Sequence, residues 1–143
     1  MNPSNSILLV DDNAIVRQHL RCLFESAGFH CNEAENGGHA VDIAEQVRPD
    51  LIVLDFSMPI MNGLQACPLL KMKLPRSPIV MFTMFADEAL SKIAKTVGIS
   101  AVVSKECAAT ELLPKVISLL HSSSPNSAKA PKASGPEVNS TDC

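Results

Sequence analysis

The chain has 143 residues, room for one ordinary hydrophobic core but not for two. Twelve Lys and Arg against fifteen Asp and Glu leave a formal charge of −3, which argues against binding nucleic acid through the chain's own phosphate contacts. With 46% hydrophobic and 19% charged residues the chain is not disordered throughout, and no apolar run approaches the roughly 20 residues that span a bilayer.

The first residues, Met1 to Ser6, hold no basic stretch and no signal-peptide pattern, so a cytoplasmic protein is expected. Ile7-Leu8-Leu9-Val10 is the first apolar run and ends in Asp11-Asp12. Residues 14–27 place Ile15, Val16, His19, Leu20, Leu23 and Phe24 at three-and-four spacing, which predicts a helix stopped by Gly28. Residues 29–34 read as a weaker, more polar strand suited to an edge, and residues 38–47 as a helix with an apolar stripe from Ala40 to Val47. Leu51-Ile52-Val53-Leu54 is a second apolar run and ends in Asp55. A helix is expected after Gly63, kinked or shortened by Pro68.

Ile79-Val80-Met81-Phe82 leads to Thr83. Residues 87–97 open with Asp87-Glu88, favourable at a helix N-terminus, and stop at Gly98. Ala101-Val102-Val103 precedes Ser104-Lys105. Residues 110–121 form the last predicted helix, with Thr110 as N-cap, Pro114 in the first turn and Leu112, Leu113, Val116, Ile117, Leu119 and Leu120 as its buried face. The ordered part is thus expected over residues 6–121. Residues 122–143, rich in Ser, Pro and Ala with Val138 as their one large aliphatic, read as a flexible tail or linker. Five scattered cysteines without a CxxC pair point to reduced thiols rather than a disulfide framework or a zinc site.

Continuous apolar runs are strands whose two faces are both covered by helices. Their alternation with helical patterns predicts an α/β fold: a doubly wound, five-stranded parallel sheet with five helices and the flavodoxin-like strand order 2-1-3-4-5. Sites in such sheets form at the carboxyl ends of strands, near the switch in strand order. In this order the first and third strands are neighbours, so Asp11, Asp12 and Asp55 share one shallow pocket, with Thr83 and Lys105 beside it.

Three carboxylates at such range repel. At about 4 Å and an effective dielectric near 20 each pair costs roughly 4 kcal/mol, so protonation, Lys105 or a metal must relieve the pocket. Oxygen-only ligands select a hard cation, and Mg²⁺ suits few carboxylates and several waters. A pocket so furnished suits a phosphoryl group, with Lys105 and Thr83 toward its oxygens. A carboxylate can itself attack phosphorus, and Asp55 is the candidate nucleophile because the adjacent Asp11 and Asp12 are better placed to hold metal. Asp11-Asp12 alone would read as a helix-capping pair, and Lys105 alone as a solvated lysine. Their register with Asp55 shifts the reading.

Asp11-Asp12, the stretch Asp55-Phe56-Ser57-Met58-Pro59-Ile60-Met61-Asn62-Gly63, Thr83 and Lys105 together resemble the signature set of receiver domains of two-component response regulators, over residues 6–121. The resemblance implies a phosphoacceptor switch rather than an enzyme, able to assist its own phosphorylation and dephosphorylation. Asp55 would take a phosphoryl group from a sensor histidine kinase or histidine phosphotransfer protein. Asp12, Asp55 and the Ser57 backbone carbonyl would ligate Mg²⁺ directly and Asp11 through water, with Thr83 and Lys105 on the phosphoryl oxygens. The face built by residues 87–97, 101–103 and 110–121 would carry the readout to an output partner and could form a homodimer. The chain would be a stand-alone regulator or the receiver part of a longer DNA-binding one, itself touching neither nucleic acid nor membrane.

Three departures stand out. Val102 occupies a place where many receivers carry Tyr or Phe, so any switch must work through backbone shifts or packing. Glu106 stands where many have Pro, which makes a cis peptide unexpected. Met84 is bulky where a small residue is common, and is expected to narrow water's access to the phosphoryl group. The competing reading is a degenerate receiver serving as a phosphorylation-independent binding module. A flavodoxin is disfavoured because Asp11-Asp12 would repel its phosphate, and a haloacid-dehalogenase-type phosphatase because Ser57 stands where a second Asp belongs.

Overall fold

A computed structural model describes residues 5–84 and 86–123. Its elements are β1 (Ser6–Val10), α1 (Ala14–Ser26), β2 (His30–Ala34), α2 (Gly37–Val47), β3 (Leu51–Leu54), α3 (Gly63–Lys73), β4 (Ile79–Thr83), α4 (Glu88–Thr96), β5 (Ala101–Ser104) and α5 (Leu113–Ser123). All strand pairs are parallel, in the order β2-β1-β3-β4-β5. The doubly wound sheet expected from the apolar runs is therefore present.

The unbroken apolar strands follow from two buried layers. Leu8, Val10, Ile52, Leu54, Ile79 and Met81 pack with Ala40, Ala44, Ala66, Leu70, Leu90 and Ala94 of α2, α3 and α4. The alternate residues Ile7, Leu9, Leu51, Val53, Val80, Phe82 and Val103 pack with Leu20 and Phe24 of α1 and with Leu112 and Val116 around α5. Successive side chains point to opposite faces, and the central strands β3 and β4 are buried on both, while the edge strands β2 and β5 are half-buried. No helix among the described residues is long and apolar enough to cross a membrane.

Short polar caps set where the helices begin. Asn13 accepts from the Ile15 and Val16 amides, Asn36 from His39, and Asp87 from Leu90. Asn62 and Gln65 form a reciprocal capping box on α3. Because Asn13 caps α1, the Asp11-Asp12 pair is not spent on capping.

Four local expectations are corrected. Pro68 does not shorten α3, which continues to Lys73. Thr110 is not an N-cap: its hydroxyl donates to the Cys107 carbonyl, a 3-10 turn over Lys105–Cys107 and a wide π-type turn over Ala108–Leu112 come first, and α5 begins at Leu113. Pro114 explains this, because an α-helical bond from residue 114 to the Thr110 carbonyl needs an N–H that proline lacks. As the second residue of α5 it loses nothing. Ile15 and Ile117, expected on apolar stripes, are exposed. Residues 122 and 123 belong to α5 rather than to a tail, and 124–143 lie outside the described residues.

One close approach holds the sheet's carboxyl edge. Gly63 at the start of α3 donates its N–H to the Phe56 carbonyl at 2.9 Å. A Cβ there would stand 2.5 Å from the Asp55 carbonyl oxygen and 2.9 Å from Met81 Cε. Gly63→Ala must therefore displace the backbone at Asp55. A loss of about 1–3 kcal/mol is expected, seen as a lower urea midpoint at unchanged slope.

Candidate functional site: an acidic pocket at the carboxyl edge

Strand register builds the site. Val10 is paired with Leu54, so the next residues, Asp11 and Asp55, leave adjacent strands side by side. Thr83 is paired with Ser104, which sets Lys105 just beyond the same edge. One oxygen from each of Asp11, Asp12 and Asp55 lies within 4.8 Å of the others. Asp11 and Asp55 are buried and Asp12 is exposed. Thr83 is fully buried at the end of β4, and Ser57 is exposed in the loop after β3.

The cation is shared unequally. Lys105 Nζ is 2.7 Å from Asp11 Oδ2 and 3.5 Å from Asp55 Oδ1. Asp11 is held again at Oδ1 by the Asn13 amide, at 2.9 Å. Asp55, with the weaker share of Lys105, is pushed up to about 6 by burial and then by the Asp11 charge, while Lys105 and the Ser57 amide pull the other way. Burial is the larger cause and the neighbouring Asp11 charge the second, so protonation is one outlet for the crowded acids.

The donor set fits a hard divalent cation. All three groups offer oxygen, and the 4.8 Å limit slightly exceeds the about 4.2 Å across a Mg²⁺ octahedron with 2.1 Å bonds. There is room for direct ligands together with one carboxylate acting through water.

Three residues behind the pocket, Arg17, Arg21 and Glu33, escaped the sequence reading. Arg17 of α1 donates from Nη1 to the Asp11 backbone carbonyl and from Nε to Glu33 Oε1 at 2.7 Å. Arg21 holds the other Glu33 oxygen at 2.8 Å, and the two guanidinium groups, Arg21 foremost, keep the Glu33 carboxyl below its ordinary range. The available signal was a lone acid in the half-buried strand β2, with two arginines four residues apart on the preceding helix.

The family model described as response regulator receiver domain matches residues 7–117. The chain is similar to the polar-differentiation response regulator DivK of Brucella anthropi, 30% identical over 117 residues that cover 80% of this chain and 95% of that one. It is similar to the transcriptional regulatory protein YdfI of Bacillus subtilis, 39% identical over 88 residues, 60% of this chain and 41% of that one. The chain spans 28–56% of the length of YdfI and two other longer relatives that it matches. Among solved structures, it resembles a LuxR-family two-component response regulator from Aurantimonas, with a TM-score of 0.79 and 30% identity over 87% of this chain and 93% of that one.

The Asp55 shift has a definite sign. A carboxyl that binds its proton more tightly folded than unfolded stabilises the fold at low pH, and that contribution is lost as pH rises from about 4 to about 6. At pH 7 without divalent metal, Asp55→Asn should therefore raise stability by roughly 2–3 kcal/mol, with the advantage gone at pH 4. Urea unfolding of both proteins at the two pH values measures it.

Proposed function

This chain belongs to the response regulator receiver family, and from that premise we propose that Asp55 accepts a phosphoryl group from a phosphohistidine on a sensor histidine kinase or a histidine phosphotransfer protein. The observation that carries the proposal is the gathering of Asp11, Asp12 and Asp55 around the Lys105 ammonium. With its proton released near pH 6, Asp55 is mostly ionised at neutral pH. One of its oxygens attacks phosphorus, the new O–P bond forms, and the imidazole leaves with the electron pair of the broken N–P bond.

Asp12, Asp55 and the Ser57 carbonyl would hold Mg²⁺, with Asp11 reaching it through water. The bound ion supplies positive charge that neutralises carboxylate and phosphoryl oxygens alike. Lys105 turns its ammonium to a phosphoryl oxygen and Thr83 donates its hydroxyl to another. The product has about one more negative charge than the carboxylate it replaces, which biases the packing of α4, β5 and α5. Val102 is half-buried against the cluster that includes Leu90 and Ala94 of α4, so the change passes through packing rather than an aromatic flip. That face would meet the output partner, or a second copy of the chain. The protein would act in the cytoplasm, alone or as the receiver part of a longer DNA-binding regulator.

Incubation with Mg²⁺ and acetyl phosphate should add one phosphoryl group, located on Asp55 by mass spectrometry, and Asp55→Asn or removal of divalent metal should abolish it. A chain that binds Mg²⁺ yet stays unmodified at Asp55 would instead be the phosphorylation-independent binding module.

Met84, directly after Thr83, is largely exposed. Its bulk beside the phosphoryl site should slow hydrolysis. Met84→Ala is expected to shorten the lifetime of the phosphorylated protein several-fold, followed as decay of the modified mass; an unchanged lifetime refutes the role.

A further inference from the structure

The strongest unassigned feature is the ionic ladder behind the pocket, which runs from Glu25 through Arg21 and Glu33 to Arg17 and ends on the Asp11 backbone. We propose that Arg17, oriented by Glu33, is a positioning residue that fixes the Asp11–Asp12 peptide and thereby sets the affinity of the pocket for its divalent cation. This rests on the Mg²⁺ reading above.

The Asp11 N–H still pairs with β2, donating to the Ala34 carbonyl at 3.2 Å. Its carbonyl, one step further along the chain, is taken by Arg17. That carbonyl and the Asp12 N–H lie in one rigid plane. Holding the carbonyl therefore orients the whole link between two acids whose Cα atoms are about 3.8 Å apart. Asp11 is also pinned through its own carboxylate by Asn13 and Lys105. Asp12 is exposed, and its direction is set by that backbone. Arg17 can act as a brace because two of its nitrogens are held at once. One nitrogen is on Asp11, another on Glu33, the second Glu33 oxygen is on Arg21, and the Arg17 side chain is only 15% exposed.

The alternative is that Arg17 matters only as a charge, and the two roles predict opposite signs. Removing a cation beside an acidic pocket strengthens cation binding by simple Coulomb attraction. Removing a brace weakens it. Outer-shell changes at metal sites commonly cost tenfold or more in affinity; for a brace acting through one backbone carbonyl, Arg17→Gln should weaken Mg²⁺ binding by about three- to tenfold. Arg21→Gln removes a nearby cation that does not touch Asp11, and should leave binding unchanged or slightly tighter.

The chain has no Trp, so Mg²⁺ binding is measured by calorimetry or amide NMR titration, alongside the phosphorylation rate by acetyl phosphate as a function of Mg²⁺. The expected result for Arg17→Gln is weaker binding, with the rate recovered at saturating Mg²⁺ and the pattern absent in Arg21→Gln. Equal or tighter binding overturns the positioning role. If Arg17→Gln fails to fold, Arg17→Lys keeps the charge but loses the two-pronged grip, and unchanged Mg²⁺ affinity there is equally decisive against it. A native chain that takes up no Mg²⁺ sinks the metal reading itself, whereas native binding with unaffected variants sinks only the brace.

Discussion

The ion pair between Lys105 and Asp11, 2.7 Å long and almost out of water, is the interaction on which the pocket depends. A parallel sheet brings the ends of β1 and β3 together whatever residues stand there. Placing acids at both ends forces like charges into a region of low polarisability, where the cost of burying a charge is largest. Lys105, arriving from β5 two strands away from β3, offsets part of that cost. It does so unevenly, closer to Asp11 than to Asp55. The acid left less compensated is the one whose proton is held up to about 6, and it is the proposed phosphoacceptor. Under that proposal stability and reactivity oppose each other at a single side chain, as is common where a fold carries a function.

Much of this could be read from residues alone because the constraints were strong. A run such as Leu51-Ile52-Val53-Leu54 is apolar at every position only if both faces are covered, and all four residues are buried. A parallel sheet covered on both sides and wound right-handed has few strand orders, and 2-1-3-4-5 places Asp11 beside Asp55 without further input. Helix boundaries are weaker signals. Asn13, Asn36 and Asn62 cap three helices, yet asparagine is as common in turns as at caps. Thr110 has the side chain of a cap, but its place is decided by Pro114, four residues on, which cannot close an α-turn back to it.

Apolar residues in a helical stretch do not all share the side that turns inward. Leu20 and Phe24 of α1 meet the sheet, while Ile15, five and nine residues before them and so turned about 140° to 180° away, does not. The ladder from Arg17 to Glu33 joins residues 16 apart, and nothing in local periodicity announces a contact across a loop. Its trace was a lone acid in a strand that is half-buried, with two arginines four residues apart on the helix before it.

The pocket is therefore held from three independent directions. The loop after β3 is pressed onto Asp55 by Gly63, β5 delivers Lys105, and α1 reaches back through Arg17. The first is steric, the second electrostatic and the third a hydrogen bond to backbone, so each responds to a different perturbation. Salt and pH act on Lys105 and the acids, whereas the Gly63 contact is indifferent to both. Added charge at Asp55 would be felt first through Lys105, at the root of β5, because that is the one support whose strength depends on the charge opposite it. With Val102 rather than an aromatic side chain in β5, the strand has no large rotor to turn. Under the proposed switch a change at Lys105 would travel as displacement of the short strand and of the wide turn over Ala108–Leu112 that follows it, where a loosely wound backbone is easier to shift than a closed α-helix.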